Sequence, residues 1–191
     1  MKGKFFESQI FEHEDFSSIV LSETEFLSCK FLHCNFSKNP MLRTWFKDCV
    51  IEHCDWSMVQ LRESSFQNIQ FKDCQMVGVN FEQANTHSLG FSFEACNLPY
   101  SSWHKLQVSK LVFEDCKLTG ADFTQANLQA ATFTHCDLEE ARFEGSDLRE
   151  ADFRTAQNYQ INPQTVQIGG AKFSWPALSG LLQHLHIVME S

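Results

Sequence analysis

The chain has 191 residues, of which 43% are hydrophobic, and this composition suits one domain with a continuous core. Its 24 Asp and Glu against 15 Lys and Arg give a formal net charge of −9, which opposes non-specific attraction to nucleic acid or to an anionic membrane. No stretch approaches the ~18 apolar residues of a membrane span. The sequence therefore predicts a cytoplasmic protein that contacts neither nucleic acid nor a membrane directly.

A large apolar residue recurs at every fifth position, and this repeat dominates the sequence. One run extends from Phe6 to Phe81, and a second run, displaced by two residues, extends from Phe93 to Phe153. A smaller residue, mainly Cys, Ala or Ser, stands two positions before most of the large ones. This period fits neither an α-helix nor a β-strand, so the chain must turn a corner every five residues, with two side chains inward and three outward.

Four pentads beginning at residues 116, 121, 126 and 146 read Cys-Lys-Leu-Thr-Gly, Ala-Asp-Phe-Thr-Gln, Ala-Asn-Leu-Gln-Ala and Ser-Asp-Leu-Arg-Glu. They resemble the A(D/N)LXX consensus of the pentapeptide-repeat family, and the resemblance covers roughly residues 4–155. It implies an all-β fold, the right-handed quadrilateral β-helix, with four pentads per coil and about seven coils. We predict this β-helix over residues 1–155, with an interruption at 82–92, and a capping and dimerisation segment over 156–191.

The cysteine positions support four pentads per coil independently. Cys34, Cys54 and Cys74 are 20 residues apart, as are Cys96, Cys116 and Cys136, and the step between the two sets adds the two-residue displacement. We call the side that carries them the Cys-ladder face. Its neighbour, the Phe-ladder face, is centred on Phe11, Phe31, Ile51, Phe71, Phe93, Phe113, Phe133 and Phe153.

Eight cysteines invite a disulfide or zinc hypothesis, but all eight occupy the small inward position. Structural, reduced thiols are the favoured interpretation, and the sequence predicts neither a metal site nor a cofactor. It contains no Gly-rich phosphate loop, nucleophile elbow or paired-carboxylate motif, and a core filled with Phe and Leu leaves no cavity. We therefore expect no enzymatic activity and no catalytic residues.

The Phe-ladder face carries an excess of acidic residues at outward positions. The candidate partner-binding residues there are Glu52, Asp73, Glu94, Glu114 and Asp115. A narrow acidic rod is able to present carboxylates to a DNA-binding groove, although a solvated acidic face is also common on soluble proteins.

The interruption between Phe81 and Phe93 predicts a bulge or short loop, with Gly90 allowing a positive φ angle. Its candidate functional residues are His87, Ser88 and Leu89, because binding residues concentrate on loops held by rigid scaffolds. A tolerated two-residue insertion explains the same pattern, and the sequence leaves both interpretations open.

After Phe153 the repeat pattern stops. Ser174 is a candidate N-cap ahead of Pro176, the leucines that follow have helical spacing, and residues 187–189 resemble a short strand. This tail should cover the open edge of the last coil. Its apolar stripe predicts pairing with a second copy through Phe173, Trp175, Leu178, Leu181, Leu182 and Leu185.

The tail also narrows the resemblance. Asn162-Pro163, Gly170-Ala171-Lys172-Phe173 and the leucines up to His186-Ile187-Val188 are similar to the closing segment of Qnr-type quinolone-resistance proteins and of the related self-immunity protein for microcin B17. The resemblance implies a C-terminal homodimer, a DNA-like acidic surface, and binding to a type II topoisomerase, either DNA gyrase or topoisomerase IV, that protects it from quinolones or a peptide toxin. The best-known Qnr-type members carry longer loops than the 82–92 interruption. The alternative is an interaction module with another partner.

Overall fold

The computed structural model describes residues 2–85, 89–185 and 187, and these residues form a β-solenoid of short parallel strands. The predicted right-handed quadrilateral β-helix is confirmed. The strands are β1 Phe5–Glu7, β2 Ile10–Glu12, β3 Glu25–Leu27, β4 Lys30–Leu32, β5 Pro40–Leu42, β6 Trp45–Lys47, β7 Val50–Glu52, β8 Gln60–Arg62, β9 Ser65–Gln67, β10 Ile69–Lys72, β11 Phe91–Glu94, β12 Val112–Glu114 and β13 Thr132–Thr134.

The Phe-ladder face contains the longest sheet, which orders its seven strands β13-β12-β11-β10-β7-β4-β2. Neighbouring strands pair 20 residues apart, as Phe11 does with Phe31, and the register shifts to 22 where Phe71 pairs with Phe93. The two-residue displacement of the sequence pattern is therefore absorbed between β10 and β11. A four-stranded sheet, β1-β3-β6-β9, lies on a second side, and β5 pairs with β8 on a third.

The core is a set of aromatic and aliphatic stacks that run along the solenoid. On the Phe-ladder face the ring centroids of Phe11 and Phe31 are 5.0 Å apart and those of Phe133 and Phe153 are 4.8 Å apart. Each buried Phe side chain contributes on the order of 1.5–3 kcal/mol of transfer free energy. Every turn needs its neighbours to bury these rings, as in other solenoids.

The corners place one outward residue of most pentads in the left-handed region of backbone conformation. Ser28, His33 and Lys38 have φ angles of 52°, 53° and 58°, and a glycine occupies the corner only at a few positions such as Gly120. A non-glycine residue in this conformation costs roughly 1–2 kcal/mol. The inter-turn hydrogen bonds and the core offset that cost.

Corners differ in how the small inward residue is held. Eight alanines at inward positions donate their backbone N–H to the carbonyl three residues earlier, at 2.9–3.2 Å, and so close a turn: Ala84, Ala121, Ala126, Ala131, Ala141, Ala151, Ala156 and Ala171. At the cysteine corners the thiol donates to backbone carbonyls instead. Cys49 Sγ, for example, lies 3.4 Å from Phe26 O in the turn before and 3.3 Å from Lys47 O.

Gly90 does not have the positive φ angle that the sequence analysis expected. Its backbone instead bridges two strands: the Gly90 N–H donates to Phe66 O, and Gly90 O accepts from Ile69 N–H, both at 2.9 Å. A Cβ added at Gly90 would lie 3.1 Å from the backbone nitrogen of Asn68. Close approach of two backbones, not left-handed geometry, is therefore what favours glycine here.

The solenoid continues past residue 155, where the repeat pattern ends. Parallel bridges join Asp137 to Gln157, Asp147 to Gln167 and Asp152 to Lys172. The rest of the described tail forms two 3₁₀ helices, Trp175–Leu181 and Gln183–Leu185, so the predicted short C-terminal helix has the tighter 3₁₀ form. No helix among the described residues is long and apolar enough to cross a membrane. The predicted strand at 187–189 lies largely outside the described residues.

Candidate partner-binding surfaces

Three of the predicted acidic residues belong to one column on the Phe-ladder face. The strand register places Glu52, Lys72, Glu94 and Glu114 on successive turns at the end of each strand. Asp73 and Asp115 follow at the left-handed corners, with φ angles of 49° and 52°. The structure therefore groups all five predicted carboxylates along one edge of this face.

Ion pairs neutralise part of this column. Lys30 Nζ lies 3.1 Å from a Glu52 carboxylate oxygen, and Lys72 Nζ lies 3.0 Å from a Glu94 oxygen. The hydrogen bond to Glu94 raises the pKa of the Lys72 ammonium. Glu52 and Glu94 are thus already paired, and their charge is less available to a partner than a count of acidic residues indicates.

The corner carboxylates have histidine neighbours instead. Asp73 lies 3.9 Å from His53 Nδ1, and Asp115 lies 3.5 Å from His135 Nδ1. Glu114 has no ion-pair partner among the residues that the structure describes. Of the five predicted carboxylates, Asp73, Glu114 and Asp115 therefore keep the most effective negative charge.

The histidine arrangement is a feature that sequence analysis did not identify. The rings of His13, His33 and His53 stack at the corner of the Phe-ladder face, with centroid distances of 5.0 Å and 4.8 Å, and Asp73 continues the same column. The signal was present in the sequence as three histidines spaced by 20 residues. Among the described residues, no group of His, Cys, Asp or Glu is arranged to hold a metal ion.

The structure describes only one of the three candidate residues in the interruption. Of its three candidate residues, His87 and Ser88 lie outside the described residues. Leu89 is partly buried and packs against the core. The described flanks of the segment are tied to the preceding turn, with Asn85 N–H donating to Ser64 O at 2.8 Å.

The six predicted dimer residues divide into two groups. Phe173 stacks on Phe153 at 5.4 Å and, like Leu181, packs against the core, while Leu178 is half-buried. Trp175, Leu182 and Leu185 are exposed, Trp175 by 86%. Only these last three form an apolar surface that is open to a second copy.

Two contacts hold the 3₁₀ segment on the last turn. Tyr159 Oη donates to Ala177 O at 2.7 Å, and Ile161 N–H donates to Gly180 O at 3.0 Å. Gly180 is buried, and a Cβ there would clash with the backbone oxygen of Tyr159. The exposed Trp175 and Leu182 are therefore presented by a segment that is fixed to the solenoid, although the Ser174 side chain makes no capping bond.

The parallel square coil, the packed core and the charged outer columns define a β-solenoid that presents its polar side chains along its outer surface. The sequence comparison assigns its family: the model of the pentapeptide repeat region matches residues 44–121 and 91–162, together more than half of the chain. The chain belongs to the pentapeptide-repeat family.

Solved structures share this fold over nearly the whole chain. The chain superposes on QnrB1, a plasmid-mediated fluoroquinolone resistance protein, with a TM-score of 0.65 and 23% identity, covering 100% of this chain and 98% of that one. It superposes equally well, with a TM-score of 0.65 and 15% identity, on HetL, a pentapeptide repeat protein involved in heterocyst differentiation regulation from the cyanobacterium Nostoc, covering 91% of this chain and 88% of that one. No curated protein sequence matches the chain significantly.

Proposed function

We propose that this protein is a dimeric DNA mimic that binds a type II topoisomerase, DNA gyrase or topoisomerase IV, and protects it from a quinolone or a peptide toxin. The observation that carries the proposal is the cluster of Asp73, Glu114 and Asp115 along one edge of a straight rod. These carboxylates have no Lys or Arg partner among the described residues, so basic side chains of a DNA-binding groove are able to pair with them.

The mechanism is electrostatic complementarity on a rigid scaffold. Asp73 and Asp115 are two turns of about 4.8 Å apart, Glu114 lies beside Asp115, and the packed core prevents rearrangement on binding. Glu52 and Glu94, held by Lys30 and Lys72, contribute less. The interaction should weaken as salt rises, because exposed charges are screened.

The direct test is a gyrase supercoiling assay with the purified protein, with and without ciprofloxacin, over a series of protein and salt concentrations. We expect salt-sensitive inhibition of supercoiling or rescue from drug-induced cleavage. The double variant Glu114→Gln/Asp115→Asn should lose at least tenfold in potency. A matched control, Glu63→Gln/Glu144→Gln, removes the same charge from the side opposite the Phe-ladder face and should retain potency. Equal potency of both double variants would refute the electrostatic mechanism.

Dimerisation through the tail is tested separately. Trp175→Ser/Leu185→Ser should shift the protein from dimer to monomer in analytical ultracentrifugation, because both side chains are exposed and apolar. Met58→Ser/Val112→Ser removes two exposed apolar side chains from other surfaces and should leave the dimer intact. A monomeric unmodified protein at all concentrations would exclude the dimer.

The equal structural similarity to HetL favours a second candidate, an interaction module for a regulatory protein unrelated to topoisomerases. This candidate predicts no effect in either arm of the gyrase assay. A pull-down with the unmodified protein and the Glu114→Gln/Asp115→Asn variant would then identify partners that depend on the same face.

A further inference from the structure

A shallow groove of about 460 Å³ runs along the side that carries the four-stranded sheet β1-β3-β6-β9. We call this side the groove face. It is separate from the acidic edge described above. Phe5 lies at one end of the groove and Asn85, at the start of the interruption, lies at the other. The groove therefore belongs to the turns before the interruption.

One wall of the groove alternates aromatic and acidic side chains. The strand register places Phe5 opposite Glu25, and Glu25 opposite Trp45, so the three residues stand on successive turns in one column. Successive turns are about 4.8 Å apart, so Glu25 stands one turn from each of the two aromatic residues. Phe5 is 58% exposed and Trp45 is 38% exposed.

This column departs from how the solenoid treats its other aromatic residues. The large rings are otherwise mostly inside, and Trp56 and Trp103 are almost completely buried. Glu25 is exposed and has no ion-pair partner among the residues that the structure describes, unlike Glu23, which pairs with Arg43 at 3.1 Å. No ion pair among the described residues accounts for this exposed column of two aromatic residues and one carboxylate, so we looked for an external partner.

The chemistry of the column selects a cation with a planar, weakly hydrated surface. Aromatic faces attract Arg and Lys cations by about 0.5–2 kcal/mol, and most strongly at Trp. A guanidinium is able to stack on such a ring while it donates two hydrogen bonds to a carboxylate, which an ammonium does less well. We propose that Phe5, Glu25 and Trp45 form a recognition site for an arginine side chain in an extended segment of a protein partner.

The rest of the groove fits the same occupant. Lys47 stands in the neighbouring column, beside Trp45 on β6, and has no ion-pair partner within the described residues, so it offers a place for an acidic residue of the same segment. Gln67 provides an amide for backbone contacts. The net charge of −9 favours approach of a basic segment. This site does not rest on the proposed topoisomerase function.

Nuclear magnetic resonance with the ¹⁵N-labelled full-length protein tests the proposal. The probes are N-acetyl-arginine amide and its citrulline analogue, which has nearly the same shape without the charge. The four Trp indole N–H signals report on the site, and the Trp45→Phe variant assigns the Trp45 signal. We expect saturable perturbation of the Trp45 signal by the arginine probe, with little change at the buried Trp56 and Trp103.

Two comparisons decide the outcome. Glu25→Gln should weaken arginine binding at least tenfold, whereas Glu139→Gln, which removes an exposed carboxylate from the Cys-ladder face, should change it less than twofold. Matching thermal transitions in circular dichroism will show that both variants fold. Equal perturbation by citrulline, unchanged affinity of Glu25→Gln, or an unperturbed Trp45 signal at the solubility limit of the probe would each overturn the proposal.

Discussion

The turns before and after the interruption form the same square coil, but they differ in which kind of hydrogen bond predominates at their corners. Before it, Cys, Thr or Ser fills many of the small inward positions, and its thiol or hydroxyl donates to a backbone carbonyl, as Cys49 and Thr44 do. After it, Ala predominates, and the backbone N–H itself closes the turn, as at Ala126. Among the eight cysteines, all described, only Cys136 closes such a turn, at 3.5 Å.

Where the backbone bond is absent, a small polar residue supplies a donor at many corners. Such a donor avoids the cost of about 1–3 kcal/mol for an unpaired buried carbonyl. In the described part of the chain, the corners at Val79 and Leu111 have neither kind of bond. Thiols serve this purpose, and at Cys49 burial raises the pKa of the thiol to about 11, which keeps this donor protonated. All eight cysteines therefore act as corner donors, and all eight are free thiols.

The two regions also differ in the residues that fill their cores. Substitutions of these residues should have the largest effect on the free energy of unfolding. Phe46, before the interruption, contacts the rings of Phe26 at 4.9 Å and Phe66 at 5.4 Å. Leu128 occupies the equivalent inward position after it and is fully buried. We expect Phe46→Ala to lower the free energy of unfolding by about 3–5 kcal/mol and Leu128→Ala by about 2–5 kcal/mol.

Urea titrations monitored by circular dichroism will measure both losses. Hydrogen exchange will locate them, and the Phe46→Ala loss should be concentrated in β3, β6 and β9, because each turn is supported by its neighbours. Losses below about 1 kcal/mol in either variant would contradict a tightly packed core.

Exchanging the small residues between the regions is expected to have an intermediate effect. Cys49→Ala removes the donor to Phe26 O and Lys47 O and leaves a small cavity, so it should cost about 1–3 kcal/mol. Ala126→Cys adds a sulfur atom at a corner that is already closed, and overpacking should cost about 1–3 kcal/mol. Cys49→Ser retains a donor and should cost less than Cys49→Ala. Urea midpoints measure all three, and a neutral exchange in both directions would mean that the two corner types are interchangeable.

The sequence predicted the coil and its register because the five-residue period fixes which side chains point inward. The 20-residue cysteine spacing and the step to 22 predicted the pairing of Phe71 with Phe93, which the structure confirms. The last turn was not predicted, because the residues around Tyr159 and Ile161 depart from the repeat while the backbone still pairs. Tertiary pairing extends the solenoid where the local pattern ends.

The sequence predicted the candidate surfaces less completely than it predicted the fold. Face-by-face counting grouped the acidic residues correctly but could not show that Lys30 and Lys72 pair with Glu52 and Glu94, since side-chain reach decides those contacts. Likewise, helical spacing grouped Phe173 with Trp175, whereas the structure stacks Phe173 on Phe153. Pairing and stacking between turns depend on geometry that a one-dimensional pattern does not contain.

The smallest expected effect concerns a property that both regions share, the left-handed corner. Lys38, before the interruption, and Glu140, after it, have φ angles of 58° at the same corner of the Cys-ladder face. Glycine removes roughly 1–2 kcal/mol of left-handed strain but loses about 0.5–1 kcal/mol through the flexibility of the unfolded chain. Lys38→Gly and Glu140→Gly should therefore each stabilise the protein by about 0.5–1 kcal/mol.

Glu139→Gly is the matched control, because it removes the same charge as Glu140→Gly from a residue without a positive φ angle. It should destabilise the protein by about 0.5–1 kcal/mol, so the two adjacent substitutions have opposite signs. Thermal midpoints of the three variants measure the difference. If Lys38→Gly stabilises the protein and Glu140→Gly destabilises it, or the reverse, the backbone strain at a corner depends on the type of turn around it. The two regions would then differ in backbone strain as well as in their small inward residues.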